Sequence, residues 1–226
     1  MKAIVFETID TLPSLKDMSI SPKADEVEVD IIAAALNHRD IWITKGLYPG
    51  LVPDTIMGAD GVGYYNGRRV VINPGLAWGE NEQFQSPKFR VLGVPDHGTF
   101  AEKIYISPKA LFDAPSHLTD EEAAALPVAG VTAYRALFSR AKLQKGENVL
   151  ITGIGGGVAL MAAQLAEAAG ANVFFTTGSD DKLENALALG FKGGVNYRNE
   201  NWLENLATLC GHLDVIVDSA AGDNIS

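Results

Sequence analysis

The run Val149-Leu150-Ile151-Thr152-Gly153-Ile154-Gly155-Gly156-Gly157-Val158-Ala159-Leu160 carries the strongest chemical signal in the sequence. Apolar, strand-forming residues lead into a cluster of glycines, and an apolar, alanine-rich stretch follows. Glycine lets the backbone approach a pyrophosphate closely. A helix starting at the same place offers unpaired N–H groups and the positive end of its dipole. Gly153, Gly155, Gly156, Gly157 and Val158 are therefore candidate contacts to a dinucleotide. Such turns also occur without a ligand, and the second strand–helix unit that follows is what weighs toward binding.

The end of that second strand distinguishes two dinucleotides. An acidic residue there grips the ribose 2′-hydroxyl of NAD, whereas the 2′-phosphate of NADP needs hydroxyl or cationic donors instead. The strand ends Phe174-Phe175-Thr176-Thr177-Gly178-Ser179, with no acid at the expected place near Thr177, and Lys182 follows in the first turn of the next helix. Thr177, Ser179 and Lys182 favour NADP(H) over NAD(H). Asp180 and Asp181 complicate this reading, although acids suit the first turn of a helix.

These residues need a scaffold, and the sequence changes grammar once. Short β segments dominate the first half: Lys2 to Glu7, Val27 running on to Leu36, Arg69 to Asn73, and Phe100 to Ile106. Gly and Pro punctuate them, as in a small barrel or sandwich. Pro74 to Arg90 is polar and aperiodic and reads as a long surface loop. At Thr119 a capping-box spacing, Thr119-Asp120-Glu121-Glu122, opens a helix that Pro127 checks. A second helix is expected from Val128 to Leu143. Strands then begin at Asn148, Asn172, Gly194 and Leu213, separated by helices over 158–169, 180–189 and 200–210. That alternation predicts a parallel, doubly wound α/β sheet and a boundary near residue 117, giving units 1–117 and 118–226.

Composition limits the partners. The chain has 226 residues, 47% hydrophobic, and 18 basic against 28 acidic residues give a net charge of −10. An acidic chain without a basic cluster repels a phosphate backbone, so a nucleic-acid partner is not expected. No apolar run reaches the roughly 18 residues of a membrane span. The single cysteine, Cys210, excludes an intramolecular disulfide and multi-cysteine zinc sites. Together with an acidic N-terminal stretch unlike a signal peptide, it suits a reducing cytoplasm.

Three segments together resemble the medium-chain dehydrogenase/reductase family, on its quinone-oxidoreductase-like, zinc-type alcohol dehydrogenase-like branch. They are Asn37-His38-Arg39-Asp40 running to Gly46-Leu47-Tyr48-Pro49, Gly58-Ala59-Asp60-Gly61, and Leu126-Pro127-Val128-Ala129-Gly130-Val131-Thr132-Ala133-Tyr134. The resemblance spans essentially the whole chain. It implies a GroES-like β-barrel catalytic domain followed by a Rossmann domain, an active site in the cleft between them, and a homodimer for a full-length form. Zinc-dependent members use a cysteine, a histidine and a second cysteine or acid where this chain has Asn37, Ala59 and Val128, so no zinc is expected. The glycine turn also follows the quinone-reductase variant, with Ala159 in place of its last glycine.

By the same resemblance, Asn37 and Tyr48 line the substrate pocket, Thr132 contacts the nicotinamide side, Tyr197 packs near the adenine ribose phosphate, and Ser219 lies at the ligand-binding end of the sheet. His38 is placed near the pyrophosphate or on the surface. Asp40 reads as a structural partner of a basic residue. Trp42 reads as core or cleft wall, Cys210 as packing, and His97, His117 and His212 as bland. The implied activity is zinc-independent hydride transfer from NADPH to a quinone, enone or related activated carbonyl compound. The alternatives are a 2-enoyl-thioester reductase and a catalytically inactive shortened isoform with a binding or regulatory role. The last gains weight from four strands where a complete doubly wound domain has six. On that count the chain lacks its C-terminal third, and the fourth strand is left as an apolar edge.

Overall fold

The computed structural model of the chain describes residues 1–220. It divides into two compact units, Met1–Val128 and the chain from Ala129 onward. This division lies beyond the change of grammar near residue 117. The reason is packing: the capped helix Asp120–Ala124 buries Ala123 and Ala124 against Val62 and so sits on the first unit. Its capping box forms as the spacing requires. Glu122 N–H donates to Thr119 Oγ1 at 3.2 Å, and Thr119 N–H donates to the Glu122 carboxylate at 2.9 Å.

The first unit is antiparallel. Its strands are β1 (Lys2–Phe6), β2 (Ser14–Asp17), β3 (Val27–Ala35), β4 (Thr55–Ile56), β5 (Asp60–Tyr65), β6 (Arg68–Ile72), β7 (Gly75–Leu76), β8 (Arg90–Val91), β9 (Lys103–Ile106) and β10 (Leu111–Asp113). They form a five-stranded sheet in the order β10-β6-β5-β3-β9, a three-stranded sheet β2-β1-β4, and the small pair β7-β8. Period-two alternation in β3 turns Val29 inward and Glu28 and Asp30 outward. Val29 joins Val70, Ile72, Leu92, Ile104 and Ile106 in one apolar core. The segment 74–90 is mostly irregular as expected, but its base is closed by Gly75 pairing with Val91 and Leu76 with Arg90. Two further elements lack a clear sequence signal. Helix α1 (His38–Thr44) fills the segment after β3, and β5 carries two glycines that lower its strand propensity.

The second unit has a parallel four-stranded sheet of β11 (Asn148–Ile151), β12 (Asn172–Thr177), β13 (Gly193–Asn196) and β14 (Val215–Val217), in the order β13-β12-β11-β14. The remaining helices are α2 (Asp120–Ala124), α3 (Pro127–Tyr134), α4 (Gly157–Ala168), α5 (Asp180–Ala188) and α6 (Trp202–Cys210). Proline at the first position of α3 suits a helix start, because its missing N–H has no helical partner there. The long helix expected to Leu143 widens into π-type turns over Arg135–Arg140. Val149, Ile151, Val173 and Phe175 face α4 and α5 in one core, while Leu150, Phe174 and Val195 face α6 in another. Among the described residues β14 is a sheet edge, with Ile216 61% exposed. No helix among them is long and apolar enough to cross a membrane.

Candidate functional site

The second unit carries the glycine turn where β11 meets α4. Gly153 has φ +65°, a conformation glycine adopts without strain, and it makes the sharp exit from the strand. Gly156 N–H donates to Gly153 O at 2.9 Å and closes the turn. The first helical bond of α4 runs from Leu160 N–H to Gly156 O at 2.9 Å, so the N–H groups of Gly157, Val158 and Ala159 precede the helical ladder. Gly155, Gly156 and Gly157 are exposed. Ala159 is fully buried, so its methyl is absorbed by the helix–strand core.

The end of β12 borders this turn. Lys182, in the first turn of α5, lies across it: its Nζ is 2.8 Å from the place a Cβ on Gly155 would occupy. Tyr197 leans over the β12–α5 turn, its hydroxyl 2.4 Å from the place of a Cβ on Gly178. A glycine at 178 is what leaves room for that ring. Ser179 is the half-buried residue before α5. Thr177 is buried, and its Oγ1 donates to Ser179 O at 3.5 Å, so its hydroxyl serves its own turn. Asp180 is held by the Asn196 side-chain amide at 2.7 Å. Ser219 is exposed at the carboxyl end of β14, where its N–H donates to Thr152 Oγ1 at 3.2 Å and Thr152 also bonds Asp218. A cavity of about 230 Å³ opens among these ends, lined by Thr152, Thr176, Tyr197, Trp202 and Asp218. Thr132 is exposed on α3.

The first unit holds Asn37 at the junction of β3 and α1. Its side-chain Nδ2 donates to Asp60 Oδ2 at 2.8 Å. Its backbone N–H donates to Asp40 at 2.8 Å, which makes Asp40 part of the helix start. Asp40 is thus structural, as expected, but its hydrogen-bond partner is this N–H and not a base. Arg39 donates to Leu92 O at 2.6 Å and lies 4.6 Å from the centre of the Tyr48 ring, a cation–π contact. Arg39 Nε and Nη2 and Asp40 Oδ1 are buried without a hydrogen-bond partner. Tyr48 is half-buried on a cluster of Phe6, Ile43, Met57 and Val94. His38 and Trp42 are exposed and their rings lie 5.3 Å apart, so Trp42 is not core. His97 is less bland than its sequence context suggests, because its Nδ1 accepts Ile56 N–H at 3.1 Å. Burial lowers its pKa.

Asp60, which sequence reasoning placed only within a motif, is the most perturbed group of the first unit. It is 1% exposed, and its second oxygen accepts Val128 N–H at 2.8 Å. Burial pushes its pKa up to about 6. The bonds from Asn37 and Val128 and the charge of Arg39 pull it down, and Asp40 pushes it further up. An acid with a raised folded pKa binds its proton more tightly folded than unfolded. The contribution of Asp60 to stability is therefore fully present below the unfolded value near 4 and is lost as pH rises through about 6. The shift corresponds to about 3 kcal/mol, largely lost by pH 8. Urea midpoints at pH 5 and pH 8 are expected to differ by more in the parent chain than in Asp60→Asn; equal differences would contradict the burial of an ionised carboxylate.

The positions that would hold zinc do not fit it. Asn37 has its amide nitrogen on Asp60, Ala59 presents a fully buried methyl, and Val128 offers an aliphatic side chain. None is a thiolate or an imidazole. Among the described residues no group of three or more His, Cys, Asp or Glu is placed to hold a metal.

Strand order, glycine turn and helix start together define the second unit as a Rossmann-like sheet of the dinucleotide-binding type, preceded in the chain by a GroES-like first unit. Comparison with known proteins agrees. Residues 23–116 match the alcohol dehydrogenase GroES-like domain, and residues 157–226 match the zinc-binding dehydrogenase domain. A zinc-type alcohol dehydrogenase-like protein of Leptosphaeria maculans is 34% identical over 91% of this chain and 65% of its own length. The structure of an NAD-dependent alcohol dehydrogenase is 35% identical with a TM-score of 0.86, covering 93% of this chain and 68% of that one. The quinone oxidoreductase of Thermus thermophilus, solved also with NADPH, is 30% identical with a TM-score of 0.81, covering 99% of this chain and 68% of that one. The chain belongs to the medium-chain dehydrogenase/reductase family and has quinone-oxidoreductase-like relatives. It spans about two thirds of the length of these relatives.

Proposed function

We propose that this chain is a zinc-independent, NADP(H)-dependent oxidoreductase that acts on a quinone, an enone or a related activated carbonyl compound. The observation that carries the proposal is the exposed glycine turn with the Lys182 ammonium lying across it. The cofactor supplies hydride chemistry at its nicotinamide, and the protein has to bind, orient and polarise. The open N–H groups at the start of α4 take the pyrophosphate. Ser179 and Lys182 take the 2′-phosphate, with Tyr197 against the adjoining ribose; Thr177 is spent on its own turn. Thr132 contacts the nicotinamide side. In the first unit, Asn37 donates a hydrogen bond to the carbonyl oxygen on which charge develops, and Tyr48 donates a hydrogen bond or proton. Zinc has no part in this chemistry, because the three matching side chains are not zinc ligands.

NADPH titration is expected to quench tryptophan fluorescence, with Trp202, which lines the same cavity as Tyr197, as the reporter. A panel of free enones, quinones and acyl-thioesters then separates the readings. Turnover of free enones or quinones supports the proposal. Turnover confined to thioesters moves it to a 2-enoyl-thioester reductase. Binding without any hydride transfer favours a non-catalytic role.

A further inference from the structure

We propose that Asp60 is a positioning residue that fixes which face of the Asn37 amide is offered to substrate. The inference rests on the proposed role of Asn37 as carbonyl donor. An ionised carboxylate only accepts hydrogen bonds, so the atom of Asn37 that meets Asp60 Oδ2 at 2.8 Å must be the nitrogen. One N–H of Asn37 is thereby tethered, the amide plane is set, and the second N–H remains to donate.

Beyond Asn37, Asp60 is itself held from two sides. Its other oxygen takes Val128 N–H at 2.8 Å, its backbone carbonyl takes the Thr99 hydroxyl at 2.7 Å, and Thr99 is fully buried. Arg39 and Asp40 are the charged groups that act on it, with opposite signs. Keeping a carboxylate ionised at 1% exposure costs the fold stability, and an amide of the same shape would fill the place without that cost. What an amide cannot do is hold Asn37 the same way round. In the Asp60→Asn variant the new amide would satisfy Val128 N–H through its oxygen and turn its own NH2 toward Asn37. Asn37 would then rotate to present its oxygen, and its donors would leave the place they now occupy. The exchange keeps a hydrogen bond between residues 37 and 60, but it turns the Asn37 oxygen away from the Asp40 N–H of the capping box and moves the donor.

The test uses the full chain and three variants, Asp60→Asn, Asn37→Ala and the double variant. Asp60→Asn is expected to lower kcat about 100- to 1,000-fold, the scale of losing one donor to a developing oxyanion. KM for NADPH should hold and the melting temperature should not fall. Asn37→Ala should lose as much, and the double variant no more than either. Parent kcat in Asp60→Asn, additive losses, or a lowered melting temperature with NADPH binding lost as well would each overturn the proposal.

A second readout needs no turnover. The side-chain NH2 signals of Asn37, followed by 15N-labelled NMR, are expected to shift with a midpoint near pH 6 in the parent and to lose that titration in Asp60→Asn. Persistence of the titration in Asp60→Asn, or its absence in the parent, would overturn the positioning role. A parent that shows the titration but reduces nothing would instead count against the proposed function alone.

Discussion

Replacing Gly98 with alanine is expected to unfold the first unit. The new Cβ would stand 1.9 Å from Gly58 O, 2.5 Å from Met57 O and 2.7 Å from Gly93 Cα. All three are backbone atoms, so no side chain can swing away. The backbone on both sides is tied down as well. Gly98 N–H donates to Ile56 O at 2.8 Å, Thr99 N–H to Gly58 O at 3.0 Å, and Phe100 N–H to Met57 O at 2.9 Å. Relief therefore means opening these bonds, and the next residue, Thr99, is the one that braces Asp60. Expected is a loss above about 4 kcal/mol, in the range reserved for severe core defects. Chemical denaturation followed by circular dichroism should show a midpoint far below that of the parent. Gly67→Ala is the control: nothing lies within 4 Å of its added methyl, although its φ is +76°. It should cost only about 1 kcal/mol. A Gly98→Ala chain as stable as Gly67→Ala would refute the close approach.

Lys182→Glu is expected to raise the Kd for NADPH about 100-fold while moving the Kd for NADH only a few-fold. A charge-assisted contact to phosphate contributes more than a neutral one, and reversal replaces attraction with repulsion. The 2′-phosphate is the only group that distinguishes the two nucleotides, so the selectivity ratio reads the contact directly. Lys182→Ala should fall between, near 10-fold, and both effects should shrink as salt is added. Stability offers an internal check. A cation in the first turn of α5 opposes the helix dipole, so glutamate should not destabilise the helix. Equal losses for NADPH and NADH would mean that Lys182 serves the shared pyrophosphate, or nothing specific.

The second unit was the more legible in sequence. β12 runs over the residues its pattern marks, and α4, α5 and α6 fall within a few residues of theirs, because long-range packing there follows local period. The first unit was legible only in β1, β3, β6, the end of β9 and the capped helix α2. β5 is buried yet carries Gly61 and Gly63, so its strand character comes from its neighbours and not from its residues. The short strands β4, β7, β8 and β10 have two or three residues each, too few to show a period. The same divide holds for the site. Glycines and a lysine at a helix start announce themselves through local geometry. Asp60 does not: its partners Asn37 and Val128 are 23 and 68 residues away, and its burial is a property of the assembled unit. The available signal was a lone acid between an alanine and a glycine in an otherwise apolar stretch.

Hydride transfer from NADPH to an activated acceptor, with no metal involved, is the step on which the proposed function stands. It can be followed by incubating the chain with NADPH deuterated at the nicotinamide C4, a free enone and a strong chelator. Deuterium is expected on the carbon β to the carbonyl, formed at the rate seen without chelator. A product free of deuterium, or transfer that stops when the chelator is added, would refute the metal-free hydride step.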